Sequence, residues 1–218
     1  MKKRKRSIPR NIEIAIASLG LVLVAPLMIA AAALVKLSSR GPVLFRQDRV
    51  GLNGKKFTMF KIRTMTVSDG GAKITAADDV RVTRVGKILR RTKVDELPEL
   101  WNVLRGDMSF VGPRPEVPEY VDLADPHWLE ILDHRPGITD PVTLRLRNEE
   151  ALLASVKDRE RYYREVIQPY KVRGYLKFVR DKSWKTDIRI VARTVWVVAF
   201  PAAAKTPTKE ELKWSFAE

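Results

Sequence analysis

The sequence predicts an α+β fold: a mostly helical domain with a short β-hairpin, set behind a long apolar N-terminal segment and ending in amphipathic helices. Three observations lead there. Residues Ile14 to Val35 form a run of 22 without one charge. Asn53-Gly54 stands between two short strand-like stretches. Elsewhere the apolar residues recur mainly at helical spacing.

The apolar run comes first in the chain. As a helix it would extend roughly 33 Å, close to the hydrocarbon thickness of a bilayer. It is too long and uniform for a secretory signal core, and Ala25-Pro26 lies in its middle rather than at a cleavage boundary. A core helix apolar all round would need a larger protein around it. Lys2, Lys3, Arg4, Lys5, Arg6 and Arg10 precede it, and Lys36 and Arg40 follow it. With basic flanks on both sides, the positive-inside bias selects no orientation. Pro26 removes one backbone hydrogen bond and should break or kink the helix. A kinked spanning helix and a hairpin returning to the same leaflet both satisfy these facts.

Ser38 to Pro42 has breaker composition and marks a junction. The hairpin follows, from Val43-Leu44-Phe45 through Asn53-Gly54 to Lys55–Ile62. Val67 to Asp79 is polar and reads as a loop, and Val85 to Arg91 as a helix. Thr92 and Asp95 have the spacing of a capping box. That places Asp95 and Glu96 in the first turn of a helix whose Leu97, Leu100, Trp101 and Leu104 form one apolar face. Arg105-Gly106-Asp107 ends it. Phe110 to Pro118 and His134 to Pro141 are rich in proline and glycine and predict rigid extended loops. Asn148 to Gln168 reads as a solvated polar helix. Asp187 to Phe200 carries Arg189 and Arg193 one turn apart, and Trp196 among aliphatic residues. This suits a helix in the headgroup region, with a C-terminal helix packed on the core as the alternative. After Pro201 a polar, frayed tail is expected.

Composition narrows the chemistry. The formal net charge of +15 on 218 residues calls for an anionic partner. Lipid attraction accounts for much of that charge, and no nucleic-acid motif occurs, so no nucleic-acid partner is expected. The chain lacks cysteine, which excludes disulfides and thiolate chemistry. Two histidines, His127 and His134, and no carboxylate cluster leave no usual zinc site. Neither a GxGxxG nor a GxxxxGK[ST] motif occurs. What stands out is Asp95-Glu96 among Arg90, Arg91 and Arg114. A helix N-terminus and arginines favour ionised carboxylates, which serve as metal ligands or as nucleophiles toward phosphorus or carbon. First-turn capping acids with surface counter-ions fit the same residues.

Several ordered motifs go further. They are Gly41-Pro42-Val43, Gln47-Asp48-Arg49-Val50-Gly51, Phe60-Lys61-Ile62-Arg63-Thr64-Met65, Asp95-Glu96-Leu97-Pro98-Glu99-Leu100, Asn102-Val103-Leu104, Gly106-Asp107-Met108-Ser109, Val111-Gly112-Pro113-Arg114-Pro115 and Arg135-Pro136-Gly137-Ile138-Thr139. In this order the chain resembles the bacterial sugar transferases that act on polyprenyl phosphate, the monotopic phosphoglycosyl transferases, in their minimal form. The chain departs from the family pattern at Glu99, where glutamine is usual. It departs again after Thr139, where Asp140-Pro141-Val142 replaces a glycine-containing stretch and points to a subgroup with its own sugar preference.

The resemblance implies transfer of a sugar 1-phosphate from a UDP-sugar to undecaprenyl phosphate with release of UMP, an early step of bacterial surface glycan synthesis. It assigns the nucleophile to Asp95 and a Mg²⁺ ligand to Glu96. It also implies a re-entrant membrane helix broken near Pro26, with both ends on the cytoplasmic face of the inner membrane. The chain then divides into a basic cytoplasmic tail (1–10), a helix-break-helix (11–37), a catalytic domain with an interfacial C-terminal helix (38–200) and a polar tail (201–218). Arg114, in a rigid Pro-Arg-Pro loop, offers a forked donor to phosphate. Lys61, Arg63, Arg90 and Arg135 are further substrate-binding candidates, and Asp107 is a turn cap or a metal aid. Expected partners are the UDP-sugar, undecaprenyl phosphate and an anionic bilayer, with a homodimer left open. A catalytically silent scaffold of the same fold, or a glycosyltransferase releasing UDP, are the competing readings.

Overall fold

The computed structural model describes residues 7–66, 74–204 and 206–213. The basic residues Lys2 to Arg6 and most of the Val67–Asp79 loop lie outside them. The elements in order are α1 (Arg10–Ser38), β1 (Leu44–Val50), β2 (Lys56–Ile62), α2 (Arg84–Thr92), α3 (Glu99–Arg105), β3 (Ser109–Val111), α4 (Pro126–Leu132), β4 (Gly137–Thr139), α5 (Pro141–Arg145), α6 (Glu149–Ala154), α7 (Arg159–Tyr162), α8 (Gln168–Asp181), α9 (Trp184–Ala199) and α10 (Lys209–Lys213).

Strands β1 and β2 pair antiparallel from Leu44↔Ile62 to Val50↔Lys56. Their connection uses Asn53 and Gly54 at φ 55° and 74°, the left-handed region that these two residue types enter most readily. A second pairing, β3 parallel to β4, was not legible in the sequence. It rests on two glycines. A Cβ at Gly112 would lie 2.3 Å from the Arg135 carbonyl oxygen, and one at Gly137 would lie 2.0 Å from the Gly112 nitrogen. Only two bare backbones can approach so closely, and this contact fixes the start of the Arg114 loop.

Among the described residues α1 is the one helix long and apolar enough to cross a membrane. Helical structure continues through Pro26, so the break expected there is absent. The proline costs one hydrogen bond, but the turns on either side keep theirs and carry the helix past it. Glu13, Ala17, Ala31 and Val35 are its buried residues. The spacings of 4 and 18 place them on one face, since 18 residues make five turns. That face touches the domain near both ends. Ala17 packs with Met59, Val103 and Met108, while Ala31 and Val35 pack with Ile62 and Leu89. The N-terminal end is also latched by polar contacts. Arg10 donates to the carbonyls of Val103, Leu104 and Met108, and Glu13 accepts from the Phe110 amide at 3.2 Å.

The largest core joins α4, α5, α6, α8 and the stretch after β3 around Trp128, Ile131, Leu153, Tyr163, Ile167 and Tyr175. It corrects the solvated-helix expectation for 148–168. That stretch is two short helices and a π turn, and Leu153, Tyr163 and Ile167 are drawn from it into the core. The tail past Pro201 is not frayed where described. Leu212 is buried and Glu211 pairs with Arg145 at 2.7 Å.

Candidate active site

The Asp95-Glu96 pair does not open a helix. Thr92 is the last residue of α2, and its hydroxyl bonds back to the carbonyls of Ile88 and Leu89. Lys93 then turns left-handed at φ 62°, and Val94–Glu96 forms a tight 3₁₀ turn before Pro98 and α3. The capping-box expectation fails because the Thr92 side chain satisfies the helix behind it rather than the one ahead. The apolar face of α3 is not its buried face. Glu99, Asn102 and Val103 are its buried residues, whereas Trp101 is 51% exposed.

Four segments converge at this turn. Lys61 comes from β2, Asp95 and Glu96 from the 3₁₀ turn, Glu99 from the first turn of α3, and Arg114 from the loop after β3. Lys61 Nζ lies 3.0 Å from Glu96 Oε1 and 3.4 Å from Glu99 Oε1. Arg114 Nη2 lies 2.6 Å and 3.6 Å from the same two oxygens. Lys93 Nζ is 3.6 Å from Glu96 Oε1. Arg114 is aimed by its other terminal nitrogen, which donates to the Ile138 carbonyl at 3.1 Å.

The neighbouring acids are driven in opposite directions. Burial alone would raise the Glu96 carboxyl, but Arg114, Lys61 and Lys93 outweigh it and hold it well below the usual carboxylate range. Burial pushes the Asp95 carboxyl up, and the Glu96 charge adds to the rise; Lys61, Lys93 and Arg90 offset only part of it. Asp95 is buried, and its Oδ1 accepts no hydrogen bond. Burial likewise raises Glu99 against the pull of Lys61 and Arg114, and neither Glu99 oxygen accepts a hydrogen bond. Glu96 is thus an anchored anion, whereas Asp95 is a less solvated and more basic oxygen donor.

A cleft of about 1260 Å³ opens over the cluster. Lys61, Arg90, Arg91, Lys93, Asp95, Glu96 and Arg114 all line it. Arg90 is braced by Thr64 at 2.8 Å and Glu150 at 2.7 Å. Arg63 also reaches the lining, but its guanidinium is committed to the carbonyls of Ser39 and Arg40, tying β2 to the end of α1. Arg135 is not brought to the cleft. It donates to the Gly106 carbonyl at 2.8 Å and so closes the end of α3. Asp107 pairs with Asn102 and Arg105, away from the cluster. Asp125 caps the start of α4, accepting from the His127 amide at 2.8 Å with the His127 ring 2.9 Å away.

Sequence reasoning missed Lys93, and it met Glu99 only as a departure from a family pattern. It also missed a buried network on the far wall. There Lys171 Nζ lies 3.1 Å from Glu116 and 3.0 Å from Glu149, with the Tyr163 hydroxyl donating to Glu116 at 2.9 Å. The available signal was a lysine at helical spacing with Tyr175 and next to Val172, inside an otherwise apolar stripe.

Cations over a carboxylate cluster, at the floor of one large cleft, are the equipment of a protein that handles phosphorylated substrates. The chain belongs to the bacterial sugar transferases, whose family model matches residues 4–201. It is 40% identical over 192 residues to a UDP-glucose:undecaprenyl-phosphate glucose-1-phosphate transferase of Caulobacter vibrioides, covering 85% of this chain and 67% of that protein. It is 44% identical over 137 residues to the UDP-N-acetylgalactosamine-undecaprenyl-phosphate N-acetylgalactosaminephosphotransferase of Aeromonas hydrophila, covering 61% of this chain and 32% of that one. An Escherichia coli relative of the same description as the Caulobacter protein is 39% identical over 200 residues, 88% of this chain and 40% of the relative. The chain therefore spans about two thirds of one relative and well under half of the other two.

Proposed function

We propose that this chain transfers a sugar 1-phosphate from a UDP-sugar to undecaprenyl phosphate, at the cytoplasmic face of the bacterial inner membrane. The observation that carries the mechanism is the division between adjacent acids: Glu96 is pinned by three cations, while Asp95 keeps a buried oxygen without a donor. In the first step an Asp95 oxygen attacks the sugar-bearing phosphorus, a P–O bond to it forms, and the bond to the nucleotide oxygen breaks. UMP leaves with that electron pair. In the second step a phosphate oxygen of the lipid acceptor attacks the same phosphorus and releases the Asp95 carboxylate. Lys61, Lys93, Arg90 and Arg114 face the diphosphate and offset the charge that moves onto UMP. No histidine relay is needed, because a carboxylate attacks without deprotonation.

The residues also fit a Mg²⁺ ion. The donor is the hard carboxylate of Glu96, and Mg²⁺ usually takes one or two carboxylates and completes its shell with phosphate and water. Glu96 would hold it with Asp95 beside it; the ion, when bound, supplies positive charge to the phosphate oxygens.

The two ends of α1 dock on one domain, which supports a helix held along one side of the bilayer with both ends at the same leaflet. A straight helix of 29 residues, ~43 Å long, could cross a bilayer only if the domain packed along it entered too.

The test is a release assay over a panel of UDP-sugars with the full chain in nanodiscs. Donor alone should release UMP up to about one equivalent per enzyme, and intact-protein mass spectrometry should find the sugar phosphate on Asp95. UMP only in the presence of acceptor, with no adduct, would establish direct transfer instead. UDP in place of UMP would identify a glycosyltransferase.

A further inference from the structure

The cleft has a second arm that the phosphate chemistry does not use. Its outer wall is α9, which presents Val191, Val195 and Val198. These stand at i, i+4 and i+7 and so share one helix face. Phe110 of β3, Ile138 of β4 and Leu144 of α5 line the same cleft. Thr139 and Thr194 also line it, but their hydroxyls bond to each other at 2.8 Å, and Thr194 donates to the Ile190 carbonyl, so this polar pair is satisfied within the protein. Arg189 and Arg193 of α9 are absent from the lining. Val195 is 65% and Val198 37% exposed, an apolar rim that no other part of the described chain covers.

One cleft thus joins a cationic floor to an uncharged apolar arm. A nucleotide sugar offers such an arm only the flat face of its base and has no hydrocarbon chain to run along it. An amphiphile with a phosphate head and a hydrocarbon tail matches both parts. We propose that the arm formed by Val191, Val195 and Val198 against Phe110, Ile138 and Leu144 seats the first isoprene units of the lipid phosphate acceptor, so that α9 reads the acceptor's tail as well as lying beside the site. This rests on the transfer reaction proposed above only for the identity of the acceptor.

The experiment uses the full chain in nanodiscs and a polyprenyl phosphate carrying a diazirine in its first isoprene units. Irradiation should label the peptide 191–198, and unlabelled undecaprenyl phosphate should compete. In parallel, Val195→Trp should raise the acceptor KM by about tenfold by filling the arm, and leave the UDP-sugar KM unchanged. Ala192→Trp, on an exposed position outside the cleft lining, should change neither. Labelling confined to α1, or equal effects of the two tryptophans, overturns the assignment. If Val195→Trp fails to fold, the position of the label on the wild-type chain decides. Label on 191–198 in a chain that transfers no sugar phosphate from any UDP-sugar would refute the reaction and leave the acceptor arm standing.

Discussion

Arg114 is the residue whose loss the structure prices most directly. Its Nη2 is 2.6 Å from Glu96 Oε1 and 3.6 Å from Glu99 Oε1, and its Nη1 donates to the Ile138 carbonyl. All three side chains are largely withdrawn from water, at 20%, 14% and 0% exposure. Removing one member of a buried ion pair typically costs about 3–5 kcal/mol, because the partner charge is left behind. Here Lys61 and Lys93 still face Glu96, so Arg114→Met should fall at the low end, about 3 kcal/mol. For a chain of this size that is a drop in Tm of roughly 6–12 °C. Arg114→Met with Glu96→Gln should lose less than the sum of the single changes, with a coupling of about 1.5–3 kcal/mol. The sign with pH follows from Glu96. Its folded-state carboxyl lies below the unfolded value, so the pair stabilises above about pH 4.3 and is lost as pH falls through the folded value. The wild type should therefore lose Tm in acid more steeply than Arg114→Met. Thermal unfolding in detergent at pH 8 and across the acid limb measures all of this. A single variant within about 2 °C of wild type, or a strictly additive pair, refutes the buried-pair reasoning.

Asp95→Asn should abolish both UMP release and the covalent adduct while leaving Tm at or above wild type, since the charge it removes is buried beside an unpartnered oxygen; a large loss of Tm would make Asp95 structural. Cysteines placed singly at Ser7 and Ser39 should both label from the cytoplasmic side of sealed vesicles, and labelling from opposite sides would restore a spanning helix. Arg189→Glu with Arg193→Glu should weaken retention on anionic vesicles by order ~1 kcal/mol per basic charge removed; unchanged retention of the folded variant would place α9 away from lipid.

Where local chemistry decides the backbone, the sequence was legible. Asn53-Gly54 supplied two left-handed residues and made a hairpin, and Gly106 at φ 90° ended α3 where expected. Where a side chain could serve either of two partners, it was not. Thr92 had the spacing to cap a helix ahead and the reach to bond the helix behind, and only the left-handed Lys93 shows which was chosen. The β3–β4 pairing joins two strands of three residues across a long separation, too short to show a period. In the site, Lys61, Asp95, Glu96 and Arg114 were named from ordered motifs and Arg90 from its place before the acid pair, and all five line one cleft. Arg135 carried the same charge in a similar Pro-containing loop, yet its guanidinium closes α3, which no pattern of residues encodes.

The inversion of α3 explains why this cluster sits where it does. A short helix with Leu97, Leu100, Trp101 and Leu104 on one side would normally bury that side and expose its acids. Here Glu99 and Asn102 are wholly buried, and Leu100 instead approaches Gly20 of α1. Asn102 makes the inversion stable. Its amide accepts from the Phe60 backbone nitrogen at 3.1 Å and donates to the Thr58 carbonyl at 2.8 Å, so it pairs with the free edge of β2 as a strand would. That pairing sets β2 against α3 at the height where Lys61 meets Glu96 and Glu99. The outer face of the same helix, with Trp101 exposed beside the apolar α1, then needs a non-aqueous neighbour. One helix diameter, about 10 Å, separates that neighbour from the carboxylates. Lipid in that position would set a phosphate at headgroup depth about one helix diameter from Asp95, so the lipid-borne substrate would have a short path from the bilayer to the carboxylates.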